Sequence, residues 1–197
     1  MAKTQPPPDE SQIASARRGI RWDAFAAIIA SLVGLLALLV AGYTAYVQRE
    51  QVRAQVWPYL QMSKNNAKGQ YDFVASNKGV GPLIVRSVQV LAAGKPVKNW
   101  AQLYRLFGFK ETGDVVTATL NQTVLVPGDQ LHWIVFQNAT DVDAFVADWT
   151  RFRVEGRVCY ASTLGEKWIA TFSADGPSTI RAVPDCPRLP NAVQFDD

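Results

Sequence analysis

The chain has 197 residues, 20 Lys and Arg against 17 Asp and Glu, a single His and two Cys. This length suits about one domain. The composition excludes a disordered chain, a disulfide-dense miniprotein and a metal site built on several histidines. A net charge of +3 is too small to argue for nucleic acid, and the Lys and Arg after position 48 are scattered among acids, so no basic groove for it is visible.

Residues 1–23 contain Pro6-Pro7-Pro8, several acids and a Ser/Ala/Arg stretch. Three successive prolines forbid a helix there, and the segment is expected to be a short disordered cytoplasmic tail. Residues 24–47 (AFAAIIASLVGLLALLVAGYTAYV) hold no charged residue and no His. As a helix this run spans about 36 Å at 1.5 Å per residue, enough for a hydrocarbon core of about 30 Å. A soluble helix would need a polar face, which is missing. Trp22 and Phe25 at one end and Tyr43 and Tyr46 at the other stand where aromatic rings favour the membrane interface. A cleaved signal peptide is the rival reading, but the run is too long and Val40-Ala41-Gly42, a tolerable cleavage site, lies inside it. Arg17-Arg18 only loosely suits a twin-arginine signal. Lys3, Arg17, Arg18 and Arg21 before the run, against Arg49, Arg53 and Lys64 after it, orient the N-terminus to the cytoplasm.

Within this helix Ala26, Ala30 and Gly34, then Ala37, Ala41 and Ala45, recur at four-residue spacing. Such a stripe lets helix backbones approach closely in lipid, although alanine is also simply common in spanning helices. Residues 48–56 are polar and helix-compatible and are expected to form a stalk that Pro58 stops.

Residues 57–173 change character. Short β-branched or alternating runs begin at Tyr59 and cover 70–76, 83–91, 115–120, 122–126, 131–136, 152–161 and 167–172. Breakers separate them, notably Asn77-Lys78-Gly79-Val80-Gly81-Pro82 and Pro127-Gly128-Asp129. In the 83–91 run Ile84, Val88 and Val90 share one parity. The spacing predicts a mainly β, antiparallel sandwich or small barrel. Two helical inserts interrupt it: one capped by Asn99 with Trp100, Leu103, Tyr104 and Phe107 on one face, and one from Asp141 to Thr150 carrying Val142, Phe145, Val146 and Trp149. Residues 174–197, rich in proline, are expected to be an irregular tail.

Trp57-Pro58-Tyr59-Leu60, the Asn77–Pro82 turn, Val158-Cys159-Tyr160-Ala161 and Leu164-Gly165-Glu166-Lys167-Trp168 together resemble a widespread group of bacterial proteins. These have a cytoplasmic tail, one spanning helix, a stalk and an exported immunoglobulin-like sandwich. The resemblance covers residues 22 to 173 and implies an immunoglobulin-like antiparallel sandwich. It implies no catalytic or ligand residues.

Cys159 and Cys186 are the sharpest local signal. In an exported domain they would form a disulfide closing a loop of 27 residues, worth about 3 kcal/mol in the chain-entropy view. The other reading is two unpaired thiols. His132 should face away from Leu131 and Trp133 in its strand, and one His with two Cys does not assemble a zinc site or a triad. No nucleophile elbow and no phosphate loop is present, so no catalytic, cofactor or metal residue is expected. Asn121-Gln122-Thr123 and Asn138-Ala139-Thr140 match the glycosylation pattern, a coincidence in a bacterial protein.

The aromatic insert supplies the candidate partner surface: Trp100, Tyr104, Arg105, Phe107 and Phe109 are hot-spot residue types. The competing reading is a helix that caps the sandwich core. The expectation is therefore a non-enzymatic inner-membrane protein with a periplasmic domain. Its partners are membrane lipid and either another envelope protein or a second copy. An exported module sensing a small molecule or glycan is the alternative, and an envelope hydrolase a more distant one. A concave pocket with converging polar groups separates the sensor from a scaffold, which needs a flat apolar patch.

Overall fold

The computed structural model describes residues 10–67, 70–109, 115–137, 139–173 and 178–196. The chain forms two compact units, residues 1–51 and 52–197.

The first element is one helix, α1 (Glu10–Gln55), 46 residues long. Within it Trp22–Gln55 has a mean hydropathy of 2.7 over its most apolar stretch and none of that stretch is buried, so the helix is long and apolar enough to cross a membrane. It continues through residues 48–55 and stops ahead of Pro58. Its start corrects the sequence expectation. Residues 10–23, expected to be part of a disordered tail, are helical. The prolines that forbid a helix lie at 6–8, outside the described residues, and residues 10–23 contain none.

The second unit is mainly antiparallel β-structure with two short helices: β1 (Leu60–Ala67), β2 (Gln70–Asn77), β3 (Leu83–Ala92), β4 (Lys95–Val97), α2 (Trp100–Phe107), β5 (Val115–Thr117), β6 (Val124–Leu125), β7 (Gln130–Phe136), α3 (Ala139–Arg151), β8 (Glu155–Ala161), β9 (Lys167–Ser173) and β10 (Thr179–Val183). One sheet has the order β1-β2-β7-β5. The other has the order β10-β9-β8-β3-β4, with β6 also on β3. Trp133 of β7 meets Phe172 of β9 edge-on, centroids 5.7 Å apart, across the space between the sheets. The Phe172 ring also covers Gly156, its cross-strand partner, where a Cβ would overlap it.

Both helices carry the chain from one sheet to the other, and both behave as their sequences require. Asn99 caps α2 by accepting from the Gln102 amide at 2.9 Å, and Gly108 ends it in the left-handed region. Trp100 and Leu103 of α2 and Val142, Phe145 and Trp149 of α3 are buried in a common core.

The strand β3 departs from simple alternation. Leu83 and Val85 face the core, and then Val88 and Val90 do. The pairing of β3 with β8 shifts register between Val85 and Ser87. A bulge there switches the inward parity, so Ile84 does not share the core face with Val88 and Val90, and Arg86 and Ser87 turn toward the outer face.

The breaker-rich turn after β2 is a fastening. Asn77 is fully buried. Its Oδ1 accepts from the amides of Tyr59 and Gly79, and its Nδ2 donates to the carbonyls of Gly81 and Leu125 at 2.8 and 2.9 Å. Its backbone exchanges bonds of 3.0 Å with the 127–129 turn. A Cβ on Gly79 or Gly81 would overlap the carbonyls of Trp57 and Val56, so the arriving segment leaves room only for glycine.

The tail corrects the sequence expectation. Residues 179–183 form β10, paired with β9, because Thr-Ile-Arg-Ala-Val is a strand-forming run free of the prolines around it. Phe195 is 2% exposed and stands edge-on to Trp100 and Trp133, and its amide donates to the Val88 carbonyl at 2.8 Å.

Three substitutions test these contacts by stability. Asn77→Ala strands two amides and two carbonyls and should cost about 3 kcal/mol or more in urea unfolding. Asn77→Asp should also destabilise, since it sets carboxylate oxygen against two carbonyls. Phe195→Ala should cost about 3 to 5 kcal/mol in the same measurement; a loss under about 1 kcal/mol would mean the tail is not part of the core.

Candidate functional site

The six residues of the small-residue stripe all lie on α1. At about 100° per residue, Ala26, Ala30, Gly34, Ala37, Ala41 and Ala45 fall within an arc of about 100°, and nothing lies within 4 Å of a Cβ built on Gly34. They form one narrow smooth face.

The aromatic insert is placed otherwise than a partner surface requires. Trp100 is 4% exposed and packs on Trp133 and Phe195. Tyr104 packs against Trp100 and Phe145, and Phe107 against Phe145 and Phe152. Phe109 is half-buried against Phe107. Arg105 alone of the five is exposed, its Nε donating to the Ala101 carbonyl. Amphipathic spacing puts Trp100, Tyr104 and Phe107 against the core that α2 closes, and Phe109 packs beside them, part-buried.

His132 Nδ1 and Asp72 Oδ2 are 2.6 Å apart, with Asp72 nearly buried and His132 half-exposed. Trp133 is buried, as strand alternation requires of its neighbour. Among the described residues the His132 imidazole has no hydrogen-bond partner besides Asp72, and no group of His, Cys, Asp and Glu stands where it could hold a metal. Burial, then the Asp72 charge, raises the Tyr71 hydroxyl above its ordinary value. Asn121 is buried in the β5–β6 connection, and Asn138 lies outside the described residues.

Cys159 and Cys186 are joined in a disulfide, Cα atoms 5.7 Å apart. The bridge lies on the outer face of the larger sheet and straps residues 184–189 over it. Lys167 of β9 fastens the same strap, with Nζ 2.8 Å from Asp185 Oδ1 and 3.4 Å from the Pro184 carbonyl. The hydrogen bond and charge of Lys167, with Arg188 adding less, hold the Asp185 carboxyl below its ordinary value.

Two adjoining concavities open beside the strap. The larger, about 620 Å³, has a floor of Gln89, Arg157, Thr171 and Arg181 and an apolar wall of Val183 and Leu189. The smaller, about 420 Å³, is bounded by Arg86, Arg188 and Gln194. Ser87, Asp185, Pro187 and Leu189 line both. Volumes of this order suit small organic molecules. Arg157 is paired with Glu155, but the side chains of Arg86, Arg181 and Arg188 make no ion pair or hydrogen bond among the described residues. Sequence reasoning missed this site. Its arginines come from three distant segments, and only the bulge in β3 and the bridged tail bring them to one face.

Comparison with known proteins finds no family whose sequence model matches this chain and no curated protein with a similar sequence.

Elsewhere in the domain, burial pushes the Tyr160 hydroxyl up to about 12, opposed in part by its bond with the Leu60 backbone. Its folded value exceeds the unfolded value near 10, so its stabilising contribution is complete below pH 10 and is lost as pH rises through about 12. In ultraviolet titration Tyr160 should ionise after the exposed tyrosines. Tyr160→Phe should remove that late step and flatten the alkaline loss of stability.

Proposed function

We propose that this chain is a non-enzymatic binding or scaffold protein anchored in the bacterial inner membrane by α1. Its N-terminus is cytoplasmic and its β-rich domain periplasmic, and it serves as an accessory subunit of an envelope membrane complex. The domain is read as an immunoglobulin-like sandwich. The observation that carries the compartment is the disulfide downstream of a membrane-length helix, because such bridges persist outside the reducing cytosol. The smooth stripe on α1 supports a partner helix, supplied by another envelope protein or a second copy.

The concavities beside the strap favour a second reading, an exported module that takes up a small molecule or glycan. The two readings are compatible, since an anchored subunit can carry a ligand site.

The full-length chain should stay with membranes after carbonate washing, and protease added to intact spheroplasts should remove the β domain. Mild-detergent purification should recover a partner or a dimer, and Gly34→Leu with Ala37→Leu should reduce its recovery several-fold while leaving the chain in the membrane. Recovery of a lone monomer refutes the subunit reading; a protected β domain refutes the orientation.

A further inference from the structure

The face around the strap gathers cationic side chains from several segments. Five cationic side chains line the two concavities against two carboxylates, Glu155 and Asp185. Both carboxylates are engaged, Glu155 by Arg157 and Asp185 by Lys167 at 2.8 Å. The surplus is Arg86, Arg181 and Arg188, whose side chains make no ion pair among the described residues; only Arg188 feels a nearby carboxylate, Asp185, which Lys167 already holds. Three like charges gathered on one face repel one another unless an anion lies among them.

Each reaches this face by a separate device. Arg86 is turned outward at the register shift in β3, and bulges commonly re-aim side chains beside functional sites. Arg181 lies on β10, opposite Ile169 of β9. Arg188 is carried by the strap that Cys186 ties to Cys159. Ser87, Gln89 and Thr171 add neutral hydrogen-bonding groups, and Leu189 and Val183 an apolar wall.

We propose that the strapped face of the larger sheet is a binding site for a small organic anion carrying more than one carboxylate or phosphate group. Guanidinium groups grip such groups in paired hydrogen bonds, the neutral groups bond its hydroxyls, and the apolar wall covers its carbon skeleton. The disulfide is part of the site, because it holds Arg188 and the wall over the sheet. This proposal rests on the second reading above but not on membrane orientation, since binding is measured on the detergent-solubilised chain.

The test is calorimetric titration of the full-length, oxidised protein in a non-ionic detergent at low salt, with citrate and with fructose 1,6-bisphosphate as probes and glucose as the neutral control. Saturable one-site binding of at least one anion is expected, with none of glucose. Arg181→Gln with Arg86→Gln should weaken it by about tenfold or more, while Arg105→Gln on α2 should leave it unchanged. Cys159→Ala with Cys186→Ala, checked for a folded core by circular dichroism, should weaken it comparably. Preference for one probe assigns the anionic group as carboxylate or phosphate. Absence of saturable binding of both anions overturns the proposal. So does equal weakening by Arg105→Gln, which would mark the attraction as diffuse charge.

Discussion

The β domain depends on the side chain of one buried residue. An asparagine amide has two donor hydrogens and an acceptor oxygen, and burying it without partners is costly. At Asn77 every one is used, on the segment leading into β1, on the turn into β3 and on β6. The residue ends a strand of the smaller sheet, yet one of its bonds reaches β6 of the larger sheet and another the turn that leads into β3. The segment after α1, the turn and the two sheets are therefore fixed together. Gly79 and Gly81 belong to the same constraint, because the backbone of 56–58 runs where their side chains would be.

The fold was legible where local chemistry decides it. The apolar run made the helix, the alternation of 70–76 made β2, and Asn99 capped α2 as its side chain suggested. Legibility failed where distant segments decide the outcome. One extra residue at Arg86 reversed the parity of β3, which period-two reasoning cannot foresee. Phe195 is a lone aromatic in a polar stretch, and only the hole between Trp100 and Trp133 gives it a place. The aromatic insert was ambiguous in a different sense: hot-spot residue types and core residue types are the same types, and only burial separates them.

The functional picture divides between the two units. The helix is long and apolar enough to cross a membrane and carries a smooth lateral face; the β domain carries a strapped, cationic outer face. The aromatic density that first suggested an interface instead makes the domain interior stiff, with rings interlocked from both sheets and both helices. A rigid interior leaves the outer face as the place where sequence is free to specify a ligand, and the polar groups of that face are drawn from β3, β8, β9, β10 and the strap.

The wedge at Phe195 has a consequence for how the molecule matures. Its ring contacts α2 and β7, and its backbone reaches β3, all encoded far upstream. Such long-range closure is slow, because the loop entropy is spent before the contact is gained. A chain emerging from its N-terminal end therefore exposes Trp100 and Trp133 to solvent until this last piece arrives. During that interval the nascent domain is open to aggregation and proteolysis, and the length of its exposure is set by how soon the tail arrives rather than by the final stability of the fold.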